Sequence, residues 1–380
     1  MSAKSSGTRK TRRDVLRAGG TVAAGALMGA FTGRSRPAQA QAIAGPVPQV
    51  DRLAVRVVTD SYHLALAPAF ELNGVKIQRF GFAVDQNPPT RILLSEFGLS
   101  LHLESAKETE TRQILLDFGY TPGTLLNNLG ILGIDVAKLD ALVLSHGHVD
   151  HFGGLAGLLA AAKGRLKAGI PFYLGGEECF CTREITFGGT TSNFGALERE
   201  AIEDAKLDTL MAERPALVAG HAFTTGRIGL DSFERVLVPT RMKIGVSGGI
   251  GCYPDRLPQA QRAASIVPDD FAHEQATCFN VKGRGLVVIT SCGHRGVVNS
   301  VRRAMAISGV KKLHAVMGGF HLAPHNEEYV RETVAALKAL NPDLLVPMHC
   351  TGEPFHEIAA KEMPGKLVRS YTGSRYVFGA

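Results

Sequence analysis

Apolar positions recur along the chain with two periods, and the order in which the periods alternate indicates the architecture. Leu53-Ala54-Val55-Arg56-Val57-Val58-Thr59 is rich in β-branched residues and reads as a strand. Gly98 to Glu104 alternates with period two, and Gln113 to Asp117 follows after a charged turn, which predicts an antiparallel pair. Thr124 to Leu129 reads as helix, whereas Ala141 to Ser145 is the short unbroken apolar run of a strand buried on both faces. Gly153 to Lys163 follows as an Ala- and Leu-rich helix. The last third alternates regularly: strand Gly285–Thr290, helix Val297–Ser308, strand Lys312–Met317, helix Glu327–Leu340, strand Asp343–Pro347. Residues 60–95 and 175–270 keep to neither period; the second stretch, rich in Gly and Pro, is expected to be loop-rich and to hold a lid. Strands open the chain and β–α alternation closes it. This order fits an α+β fold in four layers, with helices outside two packed sheets (αββα).

Composition adds size and little else: 380 residues, 45% of them hydrophobic, can bury a sizeable core. The charge is informative once located. Residues 1–40 carry Lys4, Arg9, Lys10, Arg12, Arg13, Arg17, Arg34 and Arg36 against Asp14 alone, which accounts for the whole formal charge of +7. The remainder is neutral and offers no basic surface, so no nucleic-acid partner is expected. Within this leader, Arg12-Arg13 opens a twin-arginine run, Ala18 to Phe31 is mildly apolar, and Pro37-Ala38-Gln39-Ala40 is a small-x-small site. Residues 1–40 are therefore read as a twin-arginine signal peptide cleaved after Ala40, residues 41–52 as a linker, and residues 53–380 as the functional domain. Export by the twin-arginine machinery to the periplasm is the expectation. No later apolar run reaches the roughly 20 residues of a membrane span, so no stable membrane association is expected. The cysteines (Cys179, Cys181, Cys252, Cys278, Cys292, Cys350) are too sparse to frame the fold, and the spacing does not reveal whether Cys179 and Cys181 bridge.

The chemistry gathers in Ser145-His146-Gly147-His148-Val149-Asp150-His151-Phe152-Gly153-Gly154. Three imidazoles and a carboxylate stand where a buried strand ends. Residues two apart in an extended loop point the same way, so His146 and His148 can grip one ion while Asp150 and His151 turn toward a second. Gly147 would let the turn approach the metals, and Gly153-Gly154 would let the next helix start tight against the strand. The competing reading is a polar surface loop, which rarely separates an apolar strand from a packed helix. Later strand ends supply further donors: His294 after Thr290, His321 after Met317 and His349 after Pro347. Taken singly, each would read as a structural histidine; with the first motif, they extend one rim. Cys292 and Cys350 flank ligand candidates and read as core thiols or as site lining.

These motifs identify a resemblance to the metallo-β-lactamase superfamily, in which His-x-His-x-Asp-His binds two metals. More narrowly, the chain resembles the subgroup of the archaeal 7,8-dihydropterin-6-methyl-4-(β-D-ribofuranosyl)aminobenzene 5'-phosphate synthase. Gly98-Leu99-Ser100, Leu115-x-Asp117-x-Gly119, Thr225-Gly226-x-Ile228, Asp269 with Glu274-Gln275, Cys292-Gly293-His294, Gly318-Gly319-Phe320-His321-Leu322 and His349-Cys350-Thr351-Gly352 carry it in order, from about residue 53 to 355. The resemblance implies one metal on His146, His148 and His294 and another on Asp150, His151 and His349, with Asp117 orienting a ligand histidine. The superfamily usually bridges the metals with an aspartate between the fourth and last histidines. Here that stretch is Gly318-Gly319-Phe320-His321, so the bridge is either His321 or solvent. The expected cofactors are two divalent ions, zinc first, with iron and manganese compatible with the donors. The expected activity is hydrolysis of a small-molecule ester, amide, lactone or phosphoester by metal-activated water, with Asp150 as the catalytic carboxylate. A synthase-type transferase and a non-enzymatic exported binding protein are the alternatives.

Overall fold

The computed structural model describes residues 36–82, 88–237, 239–262 and 264–379. The twin-arginine run and the apolar stretch after it lie outside the described residues. From Pro37 onward the chain forms one compact unit. Among the described residues, a ten-stranded sheet faces a seven-stranded one. Alternation along the strands builds the layers. Val55, Val57, Leu101, Leu103, Ile114 and Leu116 of the first sheet interlock with Val287, Ile289, Met317 and Val346 of the second. Residues of opposite parity point outward: Val58, Leu115 and Leu142 pack beneath helices Pro122–Ile131 and Leu155–Ala161. Leu286, Val288, Val316 and Leu345 pack beneath helices Val297–Ser308, Glu327–Leu340 and Glu353–Glu362. The expected αββα sandwich is thus the observed one.

The expected antiparallel pair is Ser100–Lys107 against Glu110–Leu116, in register Leu101 to Leu116. Strands Gly285–Thr290, Leu313–Gly319 and Leu344–Met348 run parallel, so their C-terminal ends share one edge. The helix expected over 153–163 is Leu155–Ala161, preceded by a separate helical turn, Val149–Phe152. Gly153 and Gly154 stand between them because a Cβ there would lie 2.1 Å from Tyr120 O and 2.2 Å from Phe118 O.

Other segments depart from the pattern-based reading. Residues 41–52, expected as a linker, are packed: Gln49–Val50 pairs with Thr277–Val281, and Val47 and Val50 are buried. Ala38–Gln39 runs parallel to Asp208–Met211, so a cut after Ala40 would remove that strand. Residues 60–95 contain a hairpin, Phe70–Leu72 with Val75–Gln78, turned by Asn73 and Gly74, both at positive φ. Strand Arg375–Gly379 inserts between Arg52–Thr59 and Val75–Gln78. Residues 175–270, expected as loop, carry a four-stranded sheet, helix Arg199–Asp204 and a Cys181–Cys252 disulfide. Among the described residues, no helix is long and apolar enough to cross a membrane.

Candidate metal centre

Strand Ala141–Val143 delivers the chain to Ser145, and of the next six residues all but Val149 are buried. His146 and His151 are fully buried, with His148 and Asp150 nearly so. The histidines that follow Thr290 and Met348 meet them there. His146, His148 and His294 form one set of converging donors, and Asp150, His151 and His349 form a second.

The second set is tightly knit. His349 Nε2 lies 3.1 Å from Asp150 Oδ2 and 3.2 Å from His151 Nε2, with 3.6 Å between His151 Nε2 and Asp150 Oδ2. Donors about 2.1 Å from one tetrahedral ion stand about 3.4 Å from each other, so this triangle has the size of a coordination face. Asp117 fixes the geometry from behind. Its Oδ2 accepts from His151 Nδ1 at 2.7 Å and from Ser145 Oγ at 2.7 Å, while Oδ1 accepts from Ser145 N at 2.7 Å. His151 therefore presents Nε2 to the pocket. The aspartate sits at φ 57°, a conformation that its short polar side chain tolerates and that aims it at the loop. Asp60, which drew no attention in the sequence, accepts from His349 N at 2.9 Å.

The first set is short of partners. His146 Nε2 and both ring nitrogens of His294 are buried with no hydrogen bond. Thr240 Oγ1 holds His148 Nε2 at 3.0 Å and leaves Nδ1 for the centre. His294 stacks on Phe271 at 3.7 Å, and Glu274 pins its loop by accepting from His294 N at 2.9 Å and Arg295 N at 2.7 Å. Such orphaned buried nitrogens are costly unless a cation takes them up, and their donor chemistry suits a divalent metal.

Electrostatics separates the two sets. Burial, reinforced by the neighbouring imidazoles, holds His146 and His294 well below their ordinary 6.5. Burial likewise lowers His148 to about 3. His349 goes the other way, to about 9: burial opposes the shift, but Cys350, Asp150 and Asp60 outweigh it. Asp150 is held below the usual carboxylate range, against the cost of burial, by His151 and His349. Its Oδ1 has no partner.

His321, at φ 48°, is half-buried beside the first set, its ring 4.0 Å from that of His294. His325 does not reach the centre and stacks on Tyr329 at 3.8 Å. Gly147 makes room for protein rather than for ions: a Cβ there would stand 2.4 Å from Arg183 Nη1 and 2.8 Å from Cys179 O. Arg183, fully buried, pairs with Asp269 at 3.0 Å and meets His273 Nε2 at 3.1 Å, and Gly147 N donates to that same nitrogen. Cys292 and Cys350, read above as core thiols or as site lining, stand inside the donor cluster, 3.1 Å apart. Burial and the neighbouring sulfur push the Cys292 thiol up, whereas the hydrogen bond from Cys292 and the imidazoles of His349 and His321 outweigh burial and draw Cys350 down. At the mouth, Phe97 lies over His349 at 4.7 Å and is 57% exposed.

The chain resembles known proteins in sequence and in fold. Residues 107–167, which include the loop 145–154, match the Metallo-beta-lactamase superfamily profile. The 7,8-dihydropterin-6-methyl-4-(β-D-ribofuranosyl)-aminobenzene-5'-phosphate synthase of Methanocaldococcus jannaschii is 27% identical over 283 residues, covering 73% of this chain and 89% of the synthase. An uncharacterised protein of the same organism is 25% identical over 247 residues, covering 64% of this chain and 81% of its own length. Among solved structures, Tm1679, described as a metal-dependent hydrolase of the β-lactamase superfamily, superposes with TM-score 0.60 at 24% identity. It covers 85% of this chain and 98% of Tm1679.

Proposed function

Because this chain belongs to the metallo-β-lactamase superfamily by fold and by sequence, we propose that it is an exported two-metal hydrolase of small-molecule esters, amides, lactones or phosphoesters. Convergence of the two donor sets, with buried unpartnered atoms at His146 Nε2, His294 and Asp150 Oδ1, carries the reading. Two divalent ions there, zinc first and iron or manganese as alternatives, would supply Lewis acidity, polarising a carbonyl or phosphoryl oxygen and acidifying water. His146, His148 and His294 would hold one ion, and Asp150, His151 and His349 the other. Asp150 would orient the attacking water through its free Oδ1 and take up its hydrogen bond. Asp117 holds His151 in the tautomer that offers Nε2. Phe97 offers an exposed ring beside His349, which favours substrates with an apolar or aromatic portion.

The relationship to the archaeal synthase favours one second reading, transfer of a group to an acceptor other than water. Export is inferred from Arg12-Arg13 and the Pro37–Ala40 site, and the Cys181–Cys252 disulfide suits an oxidising compartment.

Metal content of the full chain, purified anaerobically without chelator beside His148→Ala, tests the centre. About two ions per chain, reduced in the variant, is the expected result. Screening the four substrate classes in ¹⁸O-water then decides the reaction, with label expected in the product. Unlabelled product that appears only with an acceptor present would select the transferase. A chain without metal would sink both.

A further inference from the structure

Cys292 touches both donor sets, and nothing in the proposal above uses it. Its Sγ groups with His146 and His151, one residue from each set. It also groups with His294 and His321 on one side and with His349 and Cys350 on the other. No other residue among the described donor groups recurs this way. The sulfur is buried, and His321 Nδ1 stands 3.4 Å from it. The backbone passes close by: a Cβ on Gly319 would lie 2.4 Å from Ser291 O, 3.0 Å from Cys350 Sγ and 3.1 Å from Cys292 Cα.

We propose that Cys292 is a metal ligand whose thiolate bridges the two donor sets; this rests on the two-metal reading above. A thiolate carries two or more lone pairs and one negative charge, and it suits zinc, iron or cobalt far better than magnesium or calcium. The Cys292 proton passes to the neighbouring Cys350 sulfur as the cations bind, and the Cys292 sulfur gains two coordination bonds with no change of oxidation state. Cys350, 3.1 Å away, once protonated, donates to the bridging sulfur. The consequence is selectivity for thiophilic metals at a centre otherwise built of nitrogen and oxygen.

Zinc-edge X-ray absorption on the zinc-loaded full chain tests the bridge, with cobalt substitution as a second readout. A bridging thiolate gives every zinc a sulfur neighbour at about 2.3 Å, hence an average of about one sulfur per zinc. The cobalt form should show near-ultraviolet sulfur-to-cobalt charge transfer. Cys292→Ser should lose both signatures and fall from about two ions per chain to about one, whereas Cys350→Ser should keep them. Cys292→Asp should recover the second ion without the sulfur signal, and it serves if the serine variant fails to fold. Two zinc ions with no sulfur, with about half a sulfur per zinc, or with a signal lost only in Cys350→Ser would overturn the bridge and leave the two-metal reading standing. Absence of metal would overturn both.

Discussion

The two donor sets share one loop and are each completed by a histidine from another strand end, yet they are prepared differently. His146, His148 and His294 are neutral imidazoles in an apolar setting, one stacked on Phe271, with buried nitrogens left over. Asp150, His151 and His349 form a web of hydrogen bonds with Asp117 and Asp60, and His349 holds its proton to about 9. The first set therefore resembles an acceptor waiting for a cation. The second is already neutralised in part by protons, which an ion must displace. The first should load first, at lower metal concentration and with fewer protons released.

The strongest way to break this comparison is to remove a donor from the waiting set. His146→Ala should abolish the tighter of two zinc-binding steps, a loss in affinity greater than 100-fold, while the weaker step persists; calorimetric titration of the chelated chain reads both. Asp117→Asn acts on the other set, because an amide no longer fixes His151. Its expected cost is about 10–100-fold in affinity at the weaker step, with the tighter step unchanged. An equal loss at both steps would mean that the sets are one cooperative unit.

Acid sharpens the contrast in the metal-free chain. Burial depresses His146, His148, His273 and His294 in the folded state, so below their ordinary 6.5 the unfolded chain binds more protons and stability falls. Each such group costs about 1.4 kcal/mol per pH unit once well below that value. His349 has the opposite sign: its contribution is complete below 6.5 and is lost as pH rises through about 9. Thermal melts should therefore fall steeply from pH 6.5 to 5.5 and gently from pH 7 to 9. A melt that stays flat on acidification would mean that the histidines are not buried neutral. The smallest effect belongs to the mouth: Phe97→Ala should raise KM for aromatic substrates about 2–10-fold, from the loss of ring contact, and leave kcat nearly unchanged.

Much of this was legible because its signal is local. His146 to His151 lie within one turn of chain, and strands such as Gly285–Thr290 show burial on both faces as unbroken apolar runs. What escaped depends on contacts across the fold. Cys292 meets Cys350 across 58 residues, Asp60 meets His349 across 289, and Cys181 meets Cys252 across 71. No spacing rule reaches so far. Thr240 and Arg183 were hidden differently, inside a stretch whose short strands alternate too briefly to show a period. Strand Arg375–Gly379 holds only the short apolar run Tyr376-Val377-Phe378, too brief to mark a strand by period.

Arg183 has a mechanical consequence. Its guanidinium lies under the loop of His146 and His148, tied to Asp269, to two cysteine carbonyls and to His273, while its backbone belongs to strand Thr182–Phe187. Sliding that strand away would strand a bare charge in a dry interior at a cost of several kcal/mol. The start of this strand is therefore anchored to the donor loop. Wall and donor loop are tied through this one buried side chain, so displacing either strains the other.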